Sequence, residues 1–117
     1  MAYVDVFVTP VRLPREAEYL DLVKISQQMW TDHGALTYVE ARAEDVPLGK
    51  LTSFPRALHL EPDEVIYLGF ATYRDRAHRD SVNEKIIADP RMTALATEGP
   101  ADLKRMIWGG FTSVTRD

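Results

Sequence analysis

VIYLGFATYRDRAHRDSVNEKIIAD, Val65–Asp89, is the stretch whose reading decides the fold. Its first nine residues, Val65 to Tyr73, are the most continuously apolar run in the chain, the pattern of a central strand covered on both faces. Asp75 then stands where a helix N-cap belongs, with a carboxylate able to accept the N–H of Ala77 or His78. His78, Val82 and Ile86 follow at four-residue spacing on one face of a helix from about Asp75 to Asp89. The other charges of this helix have a local explanation. Asp75–Arg79 and Arg76–Asp80 are i,i+4 pairs of opposite sign, each contributing about 0.2–0.5 kcal/mol.

The rest of the chain arranges itself around that β-α unit. From Tyr3 to Val11, Val4, Val6 and Val8 alternate with Tyr3, Asp5 and Phe7, a strand with two distinct faces. Pro14, Glu16 and Glu18 favour a helix start. An apolar stripe through Leu20, Val23, Met29 and Trp30 carries that helix to Asp32 and His33, with Gly34 as the residue that ends it. Ala35–Ala43 reads as a second strand, 44–50 as a turn broken by Pro47 and Gly49, and 51–60 as an extended arm in which Pro55 requires an edge or a bulge. Residues 91–103 read as a short helical turn followed by a loop. Lys104–Thr115 is the last strand, with Gly109 and Gly110 marking a bulge or a close backbone approach.

The order is therefore β-α-β, an arm, β-α-β. It predicts an α+β fold of the ferredoxin-like βαββαβ kind: an antiparallel sheet with two helices on one face, formed by one domain spanning 1–117. The second face of that sheet would also carry Tyr, Phe, Trp or Val. An apolar patch of that size is rarely left in water. A second copy packed sheet against sheet, a homodimer in the manner of a dimeric α/β barrel, covers it.

Composition narrows the function. The 117 residues are 45% hydrophobic and 27% charged, the mixture of an ordinary globular protein, and the net charge is −4. That balance argues against nucleic acid and against an anionic membrane surface as partners. The chain has no cysteine, which excludes disulfides, cysteine-ligated zinc, iron–sulfur clusters and a thiolate nucleophile. The opening MAYVDVFVTPV has neither a basic n-region nor a long apolar core, so a cytoplasmic location is expected. Phosphate-loop, G-x-S-x-G and H-E-x-x-H motifs are absent, and no histidine spacing recommends a metal, so neither a cofactor nor a metal is expected.

A set of phrases runs nearly end to end: YVD-x-FV at Tyr3–Val8, W-x-x-HGAL-x-YVE at Trp30–Glu40, DVP-x-GK-x-TSFP at Asp45–Pro55, YR-x-RAHRD-x-VN at Tyr73–Asn83, ADPRM at Ala88–Met92 and KRMI-x-GGF at Lys104–Phe111. On these the chain resembles the YbaA-like family of uncharacterised bacterial proteins, a branch of the dimeric α/β-barrel superfamily. The resemblance implies a ferredoxin-like subunit and a homodimer. It implies no particular reaction, because related branches include cofactor-independent monooxygenases, haem enzymes, small isomerases and plain ligand-binding modules. The chain departs from the family in ADLKRMI at Ala101–Ile107, in Trp108 where Tyr is frequent, and in Gly69 and Phe70 where Ser-Trp is frequent.

Four residues are candidates for acid–base work. His78 lies on the apolar helix face, either as a hydrogen-bonded core residue or as a base if it reaches a pocket beside a carboxylate. His33 either caps the first helix or guards a cavity mouth beside Trp30. Asp5 and Glu40 lie on strand faces that, if turned to the shared interior of the dimer, put carboxylates in a poorly hydrated place; otherwise they pair with Arg42, Arg105 or the partner subunit. Tyr38, His78, Arg105 and Trp108 are the candidate ligand-binding residues, and His59 is assigned no role. The favoured expectation is a homodimeric small-molecule-binding protein with a largely apolar pocket between sheet and helices. The alternatives are a small cofactor-independent enzyme with His78 or His33 as base and Arg105 as anion stabiliser, and a structural or interaction module.

Overall fold

The computed structural model describes residues 2–96 and 99–115. In chain order the elements are β1 (Tyr3–Arg12), α1 (Glu16–Asp32), β2 (Thr37–Arg42), α2 (Phe54–Leu58), β3 (Glu64–Tyr73), α3 (Arg76–Ile87), α4 (Met92–Ala96) and β4 (Ile107–Thr112). The strands form one sheet in the order β2-β3-β1-β4, every adjacent pair antiparallel. Each helical crossover skips one strand, which is the split βαβ, ferredoxin-like topology. The long apolar run is central as expected, β3 pairing with β1 along ten residues and with β2 along six.

The helix ends follow their local chemistry. A tight turn at Leu13–Arg15 holds Pro14 ahead of α1, whose first turn carries Glu16 and Glu18. His33 caps the other end, and Gly34 adopts the left-handed φ of 100° that reverses the chain. Asp75 caps α3, its carboxylate accepting the His78 N–H at 2.8 Å. The extended arm expected at 51–60 is wrong in its middle. Ser53 accepts the Arg56 N–H at 3.1 Å, Pro55 sits in the first turn where its missing N–H costs nothing, and Phe54–Leu58 is a short helix. Of the loop expected after 91, Thr97 and Glu98 lie outside the described residues.

The two sheet faces differ. The face beneath α1 and α3 carries Tyr3, Asp5, Phe7, Thr9 and Val11 of β1 and Tyr67, Ala71 and Tyr73 of β3, and its core joins Met29, Val82 and Ile86 to Tyr3, Tyr38 and Tyr73. The opposite face carries Val4, Val6 and Val8 beside Phe70, Leu68, Ile107 and Phe111. At one end of that face, Leu58 of α2 is fully buried against Val8 and Ile66. The remainder is open: Val39, Ile107 and Phe111 are 41%, 47% and 61% exposed.

Candidate functional site

Strand register places the polar side chains of the helix-facing surface in rows across the sheet. Tyr38, Ala71, Asp5 and Gly110 form one row; Glu40, Gly69, Phe7 and Trp108 form the next. The far end of the Phe7 ring lies over Gly69, where an added Cβ would come within 2.1 Å of it. Only glycine leaves space for that ring, which thus extends toward Tyr38, 6.2 Å away between centroids. Above these rows, α1 supplies Tyr19, Ser26 and Trp30, while Met92, Leu95 and the 99–103 loop close one side. Together they line a half-open cavity of about 300 Å³. Its walls are mostly apolar, and among the described residues the carboxyl groups on them are those of Asp5 and Glu40.

Glu40 is held by two phenols from different elements. Tyr19 of α1 donates to Oε1 at 2.5 Å, and Tyr38, on the same face of β2, donates to Oε2 at 2.6 Å. Burial raises the Glu40 carboxyl above its ordinary range, and the two hydroxyls pull it part of the way back. Burial and the neighbouring carboxylate push both phenols upward, so they stay protonated donors. Trp30 packs against Tyr38 with ring centroids 5.2 Å apart and the planes tilted by 40°, completing an aromatic wall.

Asp5 is the second carboxylate. Burial raises it, opposed by the Arg79 guanidinium and the Tyr73 hydroxyl. Arg79 Nε stands 3.3 Å from Asp5 Oδ1, an ion pair without a directed hydrogen bond. The same guanidinium donates to the Tyr3 hydroxyl at 3.0 Å and lies 4.9 Å from the centre of that ring. Gly110 makes the room: a Cβ there would meet Tyr3 Oη at 2.4 Å and Arg79 at 2.5 Å. Of the two glycines in the last strand, Gly110 therefore serves close approach of side chains, whereas a Cβ at Gly109 would meet the Phe111 ring only at an ordinary 3.6 Å. Trp30 Nε1 donates to Tyr73 Oη at 3.2 Å and joins this cluster to the aromatic wall.

The structure thus brings Tyr38, Glu40, Asp5 and Trp108 to one cavity, facing the helices; the carboxylates do not turn to the outer face that a second copy would cover. Nor do they pair with Arg42 or Arg105. Arg42 bonds Glu16 at 2.5 Å, and Arg105 bonds Glu64, Asp102 and the carbonyls of Leu58 and His59, all away from the cavity wall. His78 is engaged elsewhere too. Its Nε2 donates to the Gly34 carbonyl at 2.9 Å while its Nδ1 accepts the Arg74 N–H at 3.0 Å, which fixes the tautomer and occupies both nitrogens. His33 meets Asp89 at 2.7 Å, and Asp89 is bound in turn by Arg91, which also reaches Asp32. That chain staples the end of α1 to the segment after α3. His59 takes the left-handed conformation that ends α2.

The sequence reading missed Tyr19 and Arg79. Arg79 was expected as a surface partner of Asp75, yet its side chain is only 15% exposed and pairs with Asp5. The available signal was spacing: Arg79, Val82 and Ile86 recur at intervals of three and four, the inward face of α3. Among the described residues no group of three or more His, Asp or Glu is placed to hold a metal ion.

Residues 2–103 match the model of a family described as "Protein of unknown function (DUF1428)". YbaA of Escherichia coli K12, an uncharacterised protein, is 38% identical over 114 residues, 97% of each chain. The chain belongs to the DUF1428 family. Among solved structures it is similar to a variant of SnoaB, a cofactor-independent oxygenase from Streptomyces nogalater, with TM-score 0.62, 15% identity and coverage of 98% of this chain and 95% of that one. It is also similar to a dimeric ferredoxin-like protein from an uncultured marine organism, with TM-score 0.59, 12% identity and both chains covered in full. At such identities these likenesses establish the ferredoxin-like fold of this DUF1428 member.

Proposed function

We propose that the protein is a homodimeric small-molecule-binding protein whose ligand occupies the cavity between sheet and α1. The observation that supports it is the cavity itself. At about 300 Å³ it lies within the range of small-ligand sites, with apolar walls and few polar groups. Tyr38 and Trp108 keep the ligand-binding role expected of them, Glu40 and Asp5 supply polar contacts, and Tyr19 joins them. His33, His78 and Arg105 have no part in this site. The dimer rests on the open apolar face around Val39, Ile107 and Phe111. It agrees with the assembly named for the marine ferredoxin-like protein.

Protein-observed NMR with a fragment library tests the binding role. Binders are expected to shift the resonances of Tyr19, Trp30, Tyr38 and Trp108 together. A library whose hits all map elsewhere, with those four unmoved, overturns it.

A small cofactor-independent enzyme on the same cavity is the second reading, favoured by Glu40. A buried carboxyl that burial raises above its ordinary range, facing a cavity, suits a general base. SnoaB, of the same fold, is a cofactor-independent oxygenase. Incubating the protein with its ligand and following ligand mass over time separates the two readings: turnover that Glu40→Gln abolishes supports the enzyme, and an unchanged ligand supports the binder.

A further inference from the structure

Charge is unevenly compensated in the cavity. Asp5 has Arg79 beside it. Glu40 has two neutral phenols and, among the described residues, no cation: no Lys, Arg or His lines the cavity. A buried carboxylate with neutral partners alone is an uncompensated charge. Around it stand Tyr19, Tyr38, Trp30 and Phe7, whose ring faces attract cations. Glu40 and the Tyr19 hydroxyl retain lone pairs for further donors, because each carboxylate oxygen accepts more than one bond and a phenol that donates still accepts.

We infer that the ligand of this cavity is an organic cation, a primary or secondary ammonium group on an aromatic or alkyl body, with the ammonium on Glu40 and the body along the apolar wall. The inference rests on the ligand-binding reading and names its chemistry. An ammonium supplies the missing counter-charge and donors in one group. A carboxylate ligand would meet like charge with no cation on the wall to receive it. Size sets the body: about 150 Å³ suffices for benzene in an apolar protein cavity, so this cavity has room for a ring and a short chain.

Three probes of equal shape and different charge test it: phenethylamine, 2-phenylethanol and phenylacetate. Both tryptophans of the chain, Trp30 and Trp108, line the cavity, so their fluorescence reports occupancy. The amine is expected to bind at least about tenfold tighter than the alcohol and the acid. Glu40→Gln, nearly isosteric, is expected to bring the amine down to the level of the alcohol, so that the charge-dependent difference between the two is lost. Equal affinities for the three, tighter binding of the acid, or an amine affinity indifferent to Glu40→Gln overturns the inference. If none of the three binds while native protein retains a neutral or anionic molecule in the cavity, this inference falls and the binding function stands. If none binds and the cavity is filled by side chains, both fall.

Discussion

Glu40 concentrates the chemistry of the molecule in one side chain, and its titration is measurable. Tyr19 and Tyr38 are the titratable groups in contact with it, and both stay protonated; among the described residues, Asp5, paired with Arg79, is the other carboxyl group on the cavity wall. Because burial raises the carboxyl, folding favours its protonated form. Its contribution to stability is therefore present below the unfolded value and declines as pH rises from there through the raised folded value. Denaturant titrations of the wild type and Glu40→Gln at a series of pH values check this. The variant should gain on the wild type as pH rises through that window and then level off; a difference independent of pH contradicts it. Gly110 is the second test at this scale. A methyl there collides with Tyr3 and Arg79, so Gly110→Ala should cost about 1–3 kcal/mol in urea unfolding, as overpacking does. A smaller loss would show that Arg79 and Tyr3 swing aside freely. Side chains of this kind were only partly legible in the sequence. The strand period placed Tyr38 and Glu40 on one face. It said nothing of which helix residue would meet them, because Tyr19 and Glu40 are brought together by the packing of α1.

At the level of elements, His78 is a clasp. Its two ring nitrogens join the carbonyl of Gly34, just past α1, to the backbone N–H of Arg74, at the entry to α3. His78→Ala should lower stability by about 1–2 kcal/mol, the cost of two part-exposed hydrogen bonds. Ligand affinity should be unchanged. Loss of binding without loss of stability would place His78 in the site after all. The helix period correctly turned His78 inward but could not reveal what it faces, since both partners are backbone groups distant in sequence. The four strands and the two long helices were legible because period, caps and breakers agreed over long stretches. The arm at 51–60 was not: Pro55 was read as a strand breaker, while Ser53 two residues earlier made it the first turn of a helix. Leu58 then docks beneath the sheet, a tertiary contact that no local pattern announces.

At the scale of the whole molecule, the sheet packs one face against its own helices and leaves much of the other open. The helix-covered face spends its polar residues around the cavity, and the outer face is apolar and partly open. If a second copy covers it, Phe111→Glu places a carboxylate in the interface. Light scattering on a size-exclusion column should then find the wild type at twice the 13.3 kDa chain mass and Phe111→Glu at the single mass. A wild-type monomer at micromolar concentration, or a variant indistinguishable from it, contradicts the dimer. The outer face could be foreseen because β-alternation fixes two faces whatever the partner. A pocket between sheet and helices was expected, but its size and its lining from α1 could not be read, since they depend on how far the helices stand from the sheet.

The central claim is that this cavity holds a small molecule, and native mass spectrometry of the protein purified from its own host tests it most directly. The account predicts a retained non-covalent mass of one small, positively charged molecule per chain, lost on mild activation and absent from a variant whose cavity is filled by Ala71→Phe. A chain that leaves its host at its bare mass, together with a crystal structure in which side chains occupy the space between Glu40 and Trp108, would contradict it.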